Sequence, residues 1–143
     1  MTRVVVDEEI ETDIMVAFVL RGDPEQVGIA RCLVRAALEY QGLRIYADDA
    51  EMVTSELVTN AIQHATAGVN DKVGVTLMRV WDGDAVGVVV TDPSPVPPVI
   101  RKATNGSEHG RGLRIVEAIS VHWSWNLENG GKAVYAVLAK DVR

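Results

Sequence analysis

The hydrophobic residues of the chain recur with a helical period in three segments. Apolar side chains in residues 24–40 return every three or four positions, which predicts an amphipathic helix. Asp23 and Pro24 supply an N-cap and a first helical residue at its start. A second helix is predicted over residues 47–65 and a third over residues 110–120.

Five apolar stretches predict β-strands. Residues 14–20 form a continuous run ahead of the first helix, and residues 73–78 and 86–91 flank an Asp-Gly-Asp turn signal. Residues 121–127 and 132–139 flank an Asn-Gly-Gly signal and predict a second hairpin. The predicted order is strand, helix, helix, strand, strand, loop, helix, strand, strand.

This order of elements predicts an α+β fold. Strands joined by short turns are antiparallel, and helices gathered on one face of such a sheet give a two-layer sandwich. We therefore expect a mixed, mainly antiparallel sheet with helices on one face. Residues 1–12 are predicted to be an N-terminal extension and residues 13–143 a single domain. Residues 92–108, which are rich in proline, are expected to form a long loop.

Composition limits the classes of function. The 143-residue chain has a formal net charge of -6, which argues against broad contact with nucleic acid. An anionic nucleotide needs only a few local donors, so it is not excluded. No apolar run reaches the ~18 residues of a membrane helix, and the acidic start does not resemble a signal peptide. We expect a cytoplasmic protein, with its single cysteine, Cys32, in the core.

The second helix carries a group of polar side chains. Glu56 and Asn60 are four residues apart, so they share one face at the edge of the apolar arc, and His64 follows one turn later. A carboxylate at a core edge is able to act as a general base, and an amide oxygen is able to bind Mg²⁺ or orient its water. Spacing alone favours a plainer interpretation, in which they form a solvated border with a hydrogen-bonded histidine.

The loop and the third helix carry a second group. Asp92 ends a valine-rich strand, where its carboxylate is able to accept a hydrogen bond from a ligand amino group or to form an Asx turn before Pro93. Gly110 and Gly112, on either side of Arg111, open the third helix, where free N–H groups attract phosphate. Many loops enter helices in this way, so the glycine pair is a weak signal alone.

Four segments together resemble a known family. The sequence SELVTNAIQHA (residues 55–65) closely resembles the N box of GHKL ATPases, in the form seen in bacterial anti-sigma-factor serine kinases. VVVTD (residues 88–92) resembles the G1 box, HGRGLRIV (residues 109–116) the G2 box, and GKAVYA (residues 131–136) the closing strand. The resemblance covers most of the chain in the family's order.

The resemblance implies the Bergerat fold, with ATP and Mg²⁺ held between the second helix and a lid. It implies that Glu56 is the general base, that Asn60 binds Mg²⁺ and that Asp92 reads the adenine amino group. Gly110, Arg111 and Gly112 would hold the phosphates. The residues that would bind the nucleotide are Asn60, His64, Asp92, Ser94, Gly110, Arg111, Gly112 and Leu113.

The resemblance also implies a reaction and partners. The γ-phosphate would pass to a serine or threonine of a STAS-type anti-anti-sigma factor, whose modification would weaken its complex with this chain. The kinase would then be free to bind a sigma factor. Proteins of this family are typically homodimers.

Departures from the motifs leave a second function open. Ser94 and Val96 stand where the G1 box usually has glycines, and Ala133 stands where a threonine is common near the adenine pocket. A non-catalytic binding module that sequesters a sigma factor or another regulator, with weak or no nucleotide binding, is therefore the alternative. A free ATPase without a protein substrate is a third possibility.

Overall fold

The computed structural model describes residues 12–65, 71–80, 85–98 and 109–140. Every helix and strand predicted from the sequence is present, in the predicted order. The Asp-Gly-Asp turn and most of the predicted loop over residues 92–108 lie outside the described residues. The elements are β1 (Thr12–Arg21), α1 (Gln26–Tyr40), α2 (Ala47–Ala65), β2 (Lys72–Val80), β3 (Ala85–Asp92), α3 (His109–Ile119), β4 (His122–Glu128) and β5 (Gly131–Leu138), and a 3₁₀ turn spans Arg44–Tyr46.

The start of α1 differs from the prediction. The helix begins at Gln26, because the residues before it form a turn closed by the Gln26 N–H, which donates to the carbonyl of Asp23 over 2.9 Å. The Asp23 carboxylate accepts the N–H of Glu25 over 3.0 Å. Asp23 therefore caps the turn that leads into the helix rather than the helix itself.

The strands form one sheet in the order β1-β2-β3-β5-β4. All four pairings are antiparallel. β5, the last strand of the chain, lies between β3 and β4, so β4 is an edge strand of the sheet. This architecture confirms the predicted two-layer α+β sandwich.

The main core fills the space between the sheet and the helices. Alternate residues of the central strands point into it, including Val75, Val88 and Val134, which are almost completely buried. Trp123 and Trp125, two residues apart on β4 and therefore on one face of the strand, both pack against this core. A smaller buried cluster occupies the opposite face of the sheet and contains Met78, Val80, Ala85 and Val137.

The helices pack side by side on the sheet. α2 contacts α1 on one side and α3 on the other, and beneath it lie β2, β3 and β5. Arg35 of α1 ties the first pair together, since its guanidinium donates to Glu51 over 2.6 and 2.9 Å and also to Asp48. No helix in the described ranges has the length and apolarity needed to cross a membrane.

Cys32 is exposed, so its predicted place in the core is wrong. The residues of α1 that are completely buried are Ala30, Val34 and Leu38, which recur every four positions. Cys32 lies two residues from Ala30, about 200° around the helix, and faces away from the sheet. The apolar composition of this stretch therefore did not indicate which face each residue occupies.

Candidate nucleotide-binding site

The direction of α2 decides which end of the sheet its polar residues approach. At its start, Asp49 Oδ2 accepts a hydrogen bond from Lys140 Nζ over 3.0 Å, just beyond the end of β5. At its other end, six residues join Ala65 to Lys72, where β2 begins. The start of β2 and the end of β3 lie at the same end of the sheet, because Gly74 pairs with Thr91. The C-terminal half of α2 therefore lies toward Asp92.

α3 runs in the opposite direction to α2. Its end leads into β4 beside the end of β5, where the Val121 N–H donates to the carbonyl of Val137 over 2.9 Å. Its start, at His109, therefore points back toward the end of the sheet that carries Asp92. The amino end of a helix has unpaired N–H groups and a partial positive charge, both of which suit an anion.

Glu56 and Asn60 lie on the flank of α2, as predicted. Both side chains are half-buried, whereas Leu57 and Ala61 beside them are in the core. Burial raises the pKa of Glu56 above its ordinary value of 4.5, because the ionised carboxylate loses hydration. A carboxylate with a raised pKa is a better proton acceptor, which suits a general base. His64, one turn further on, is exposed.

Asp92 is buried and already holds two partners. Its Oδ1 accepts hydrogen bonds from the Ser94 N–H over 2.9 Å and from Lys132 Nζ over 3.0 Å. The first contact is the Asx turn that the sequence left open as an alternative. Lys132 Nζ also donates to the carbonyl oxygen of Ser94 over 3.1 Å, and the Ser94 hydroxyl accepts the Val96 N–H over 3.2 Å.

Lys132 is a residue of this region that sequence reasoning missed. It stands directly opposite Asp92 in the pairing of β3 with β5. Ala133 pairs with Thr91 instead, so the alternation of side chains puts Ala133 on the face away from the helices. Ala133, which stands where the family often has a threonine, therefore does not face Asp92. The register of β5 against β3 is the signal that identifies Lys132.

The glycine motif forms the first turn of α3. Gly110, Arg111 and Gly112 follow His109 within the helix, and their side-chain environment lies outside the described residues. Leu113 is almost completely buried in the main core. Its side chain therefore anchors the helix against the rest of the protein. A contact between Leu113 and a nucleotide would have to use its backbone.

A separate open cavity of about 300 Å³ lies at the end of β3 and the turn between β4 and β5. Thr91 and Lys72 line it, and alternation along their strands directs both side chains away from the helices. The other lining residues are Asp92, Pro93, Glu128, Asn129, Gly131 and Lys132. The part of the cavity that Thr91 and Lys72 line therefore lies on the opposite face of the sheet from the flank of α2.

The residues at the helix side fit a nucleotide with Mg²⁺ in their chemistry. Mg²⁺ in nucleotide sites is held by one or two protein oxygens together with phosphate oxygens and water. The half-buried Asn60 amide offers one such oxygen. The amino end of α3 offers N–H groups to phosphates, and the buried carboxylate of Asp92 offers an acceptor to a base.

Comparison with known protein families finds a match over most of the chain. The family model of the histidine kinase-like ATPase domain matches residues 20–138, from the end of β1 to the end of β5. The match includes α2, Asp92, the start of α3 and Lys132. No curated protein shows a significant match to the chain.

Proposed function

The chain belongs to the histidine kinase-like ATPase family, and we propose that it is a protein serine/threonine kinase acting in the control of a sigma factor. The family assignment supports ATP binding with a regulatory role. The substrate we propose is a serine or threonine of a STAS-type anti-anti-sigma factor. We also propose that the protein acts in the cytoplasm as a homodimer.

The observation that supports the proposal is that three groups approach the same end of the sandwich. The polar flank of α2 and the amino end of α3 approach the same end of the sheet, where β3 ends at Asp92. A triphosphate needs donors for its charge, a hard oxygen ligand for Mg²⁺ and a nearby base. The residues of these elements include a candidate for each of these roles, which supports the proposal.

Each residue has a proposed role in the transfer. Glu56 accepts the proton of the substrate hydroxyl while the hydroxyl oxygen forms a bond to the γ-phosphorus. The bond between the γ-phosphorus and the bridging oxygen breaks, and ADP leaves with that oxygen. Asn60 binds the Mg²⁺ that neutralises phosphate charge, and Gly110, Arg111 and Gly112 donate to the phosphates. Asp92 accepts from the adenine amino group, and His64 and Ser94 border the nucleotide. Phosphoryl transfer depends mostly on this positioning and charge neutralisation.

The proposed consequence of the transfer is electrostatic. A phosphate adds about two negative charges to the partner's surface at neutral pH. This chain already has a net charge of -6, so repulsion would weaken its complex with the modified partner. The released chain would then bind a sigma factor.

The test is transfer of labelled phosphate from ATP to a STAS protein from the same cell. We expect Glu56→Gln to lower the transfer rate by about 10²–10⁴-fold and to leave Mg-ATP binding intact. Glu51→Gln is the matched control, because Glu51 lies about 140° around α2 from Glu56 and bonds to Arg35. Equal rates for the wild type and Glu56→Gln would refute the role of the base.

A second candidate function is a binding module without turnover. It is favoured by one observation, that Oδ1 of Asp92 is already occupied by Lys132 and Ser94. In this alternative the fold is kept, and the chain binds a sigma factor or another regulator with weak or no nucleotide binding. Calorimetry decides between the two: micromolar binding of Mg-ATP with steady turnover would eliminate the binding module, and no heat of binding would eliminate the kinase.

A further inference from the structure

Lys132 is held beside Asp92 by two independent acceptors. Its Nζ atom lies 3.0 Å from Oδ1 of Asp92 and 3.1 Å from the carbonyl oxygen of Ser94. The side chains of Lys132 and Asp92 are 6% and 2% exposed. A buried ammonium without partners is very unfavourable. Moving Lys132 away from these two acceptors when a ligand binds would therefore cost free energy.

The pair has hydrogen-bonding capacity beyond its own contacts. An ammonium group carries three N–H donors, and the contacts to Asp92 and Ser94 use two of them. The two donors described for Asp92 both reach Oδ1. One N–H of Lys132 and Oδ2 of Asp92 therefore lie outside these contacts. The pair combines a donor and an acceptor within a few ångströms of each other.

The pair faces the helix side of the sheet. Val90 and Val134 pack in the main core beneath the helices, and Asp92 and Lys132 are each two residues away along the same strands. Residues two apart on a strand share a face. The donor and the acceptor are therefore on the side where α2 and the amino end of α3 approach.

Adenine has the complementary pattern on one edge, because its exocyclic N6 donates and the adjacent ring nitrogen N1 accepts. We propose that Lys132 is a base-reading residue that acts together with Asp92. Oδ2 of Asp92 accepts from N6, and Nζ of Lys132 donates its third N–H to N1. This inference rests on the proposed function, since it requires ATP at this site.

The test removes the acceptor from the ligand. Calorimetry measures the affinity of the wild-type chain for Mg-ATP and for the 1-deaza analogue of ATP, in which C–H replaces N1. We expect the analogue to bind roughly tenfold or more weakly, because a hydrogen bond from a charged donor is lost. Lys132→Met is expected to bind ATP more weakly than the wild type and to bind the two ligands equally well.

Lys140→Met is the matched control, since Lys140 also pairs with an aspartate but at the other end of β5. It should keep the wild-type preference for ATP. Thermal unfolding verifies that each variant is folded, and the comparison of ligands on the wild type needs no variant. Equal binding of both ligands to the wild type would overturn the inference, as would an unchanged preference in folded Lys132→Met. Failure of the wild type to bind ATP at all would instead remove the proposed function, and the inference with it.

Discussion

Gly131 approaches Asp92 so closely that a Cβ atom at residue 131 would lie 2.0 Å from the carbonyl oxygen of Asp92. The same Cβ would lie 3.0 Å from the Cα of Pro93. Both neighbours are backbone atoms, so no side-chain rotation relieves the contact. The absence of a side chain at residue 131 is what allows β5 to begin directly beside the end of β3, where Lys132 meets Asp92.

Gly131→Ala should therefore separate the two strands at this point. We expect the free energy of unfolding to fall by about 1–3 kcal/mol and the affinity for Mg-ATP to fall as well. Gly28→Ala is the control, because Gly28 lies within α1 and no atom of the described residues outside that helix's own backbone lies within 4 Å of a Cβ there. That change should stabilise the protein by roughly 0.5–1 kcal/mol. Urea unfolding measures both effects, and equal stabilities of the two variants would contradict the steric argument.

Removing one member of the Lys132–Asp92 pair should be costly. Lys132→Met leaves a buried carboxylate without its cation, and we expect a loss of about 3–5 kcal/mol in the free energy of unfolding. Adding Asp92→Asn to that variant removes the uncompensated charge, so part of the loss should be recovered.

The Asp49–Lys140 pair provides the comparison for this prediction. Both of its side chains are 37% exposed, and Lys140→Met should change stability by no more than about 1 kcal/mol. Denaturant unfolding of the wild type, Lys132→Met, the double variant with Asp92→Asn, and Lys140→Met measures these differences. A loss for Lys132→Met as small as that for Lys140→Met would mean that the buried pair is not held as described.

The hydrophobic pattern predicted the elements because their periods are local properties. The last hairpin is an example: Asn129 and Gly130 both have positive φ, at 50° and 83°, which is the conformation that an Asn-Gly turn favours. The position of Glu56 and Asn60 at the edge of the apolar arc was also predictable, since it follows from the period of one helix.

The contact between Lys132 and Asp92 was not predictable in the same way. It joins residues 40 positions apart, and it depends on β5 lying between β3 and β4 rather than outside β4. Sequence spacing within β5 does not decide which of its residues faces Asp92. A shift of one residue in the β3–β5 register would put Ala133 there and direct Lys132 to the other face.

Thr54 offers a test of the core beneath α2. Its side chain is completely buried, and its hydroxyl has no hydrogen-bond partner within the described part of the chain. Thr54→Val keeps the shape and removes the unpaired hydroxyl, so we expect the free energy of unfolding to rise by about 1 kcal/mol. Thr59→Val, at a half-buried position of the same helix, should change it by less than about 0.5 kcal/mol. A lower melting temperature for Thr54→Val than for the wild type would show that the hydroxyl is bonded in solution.

Glu56 should make stability and activity depend on pH in opposite senses. Burial raises its pKa in the folded protein above 4.5, so the folded state binds this proton more tightly than the unfolded state. As pH rises from 4.5 through the raised pKa, the folded state loses stability that it had at lower pH. Glu56→Gln removes this loss, and its stability relative to the wild type should increase from pH 4 to pH 7. The wild-type rate of phosphoryl transfer should rise over the same range, because the base must be ionised.

Unfolding curves for the wild type and Glu56→Gln between pH 4 and pH 8 measure the effect of this carboxyl on stability. Thr59→Val adds and removes no titratable group on α2, so its stability difference from the wild type should stay constant over this range. The stability difference between Glu56→Gln and the wild type should grow with pH, because the wild-type carboxylate ionises without full hydration. The difference should level off above the raised pKa of Glu56. A difference that stays flat, or that shrinks as pH rises, would mean that Glu56 is as well hydrated in the folded protein as in the unfolded chain. Its raised basicity would then be absent, and with it the physical reason for assigning Glu56 as the base.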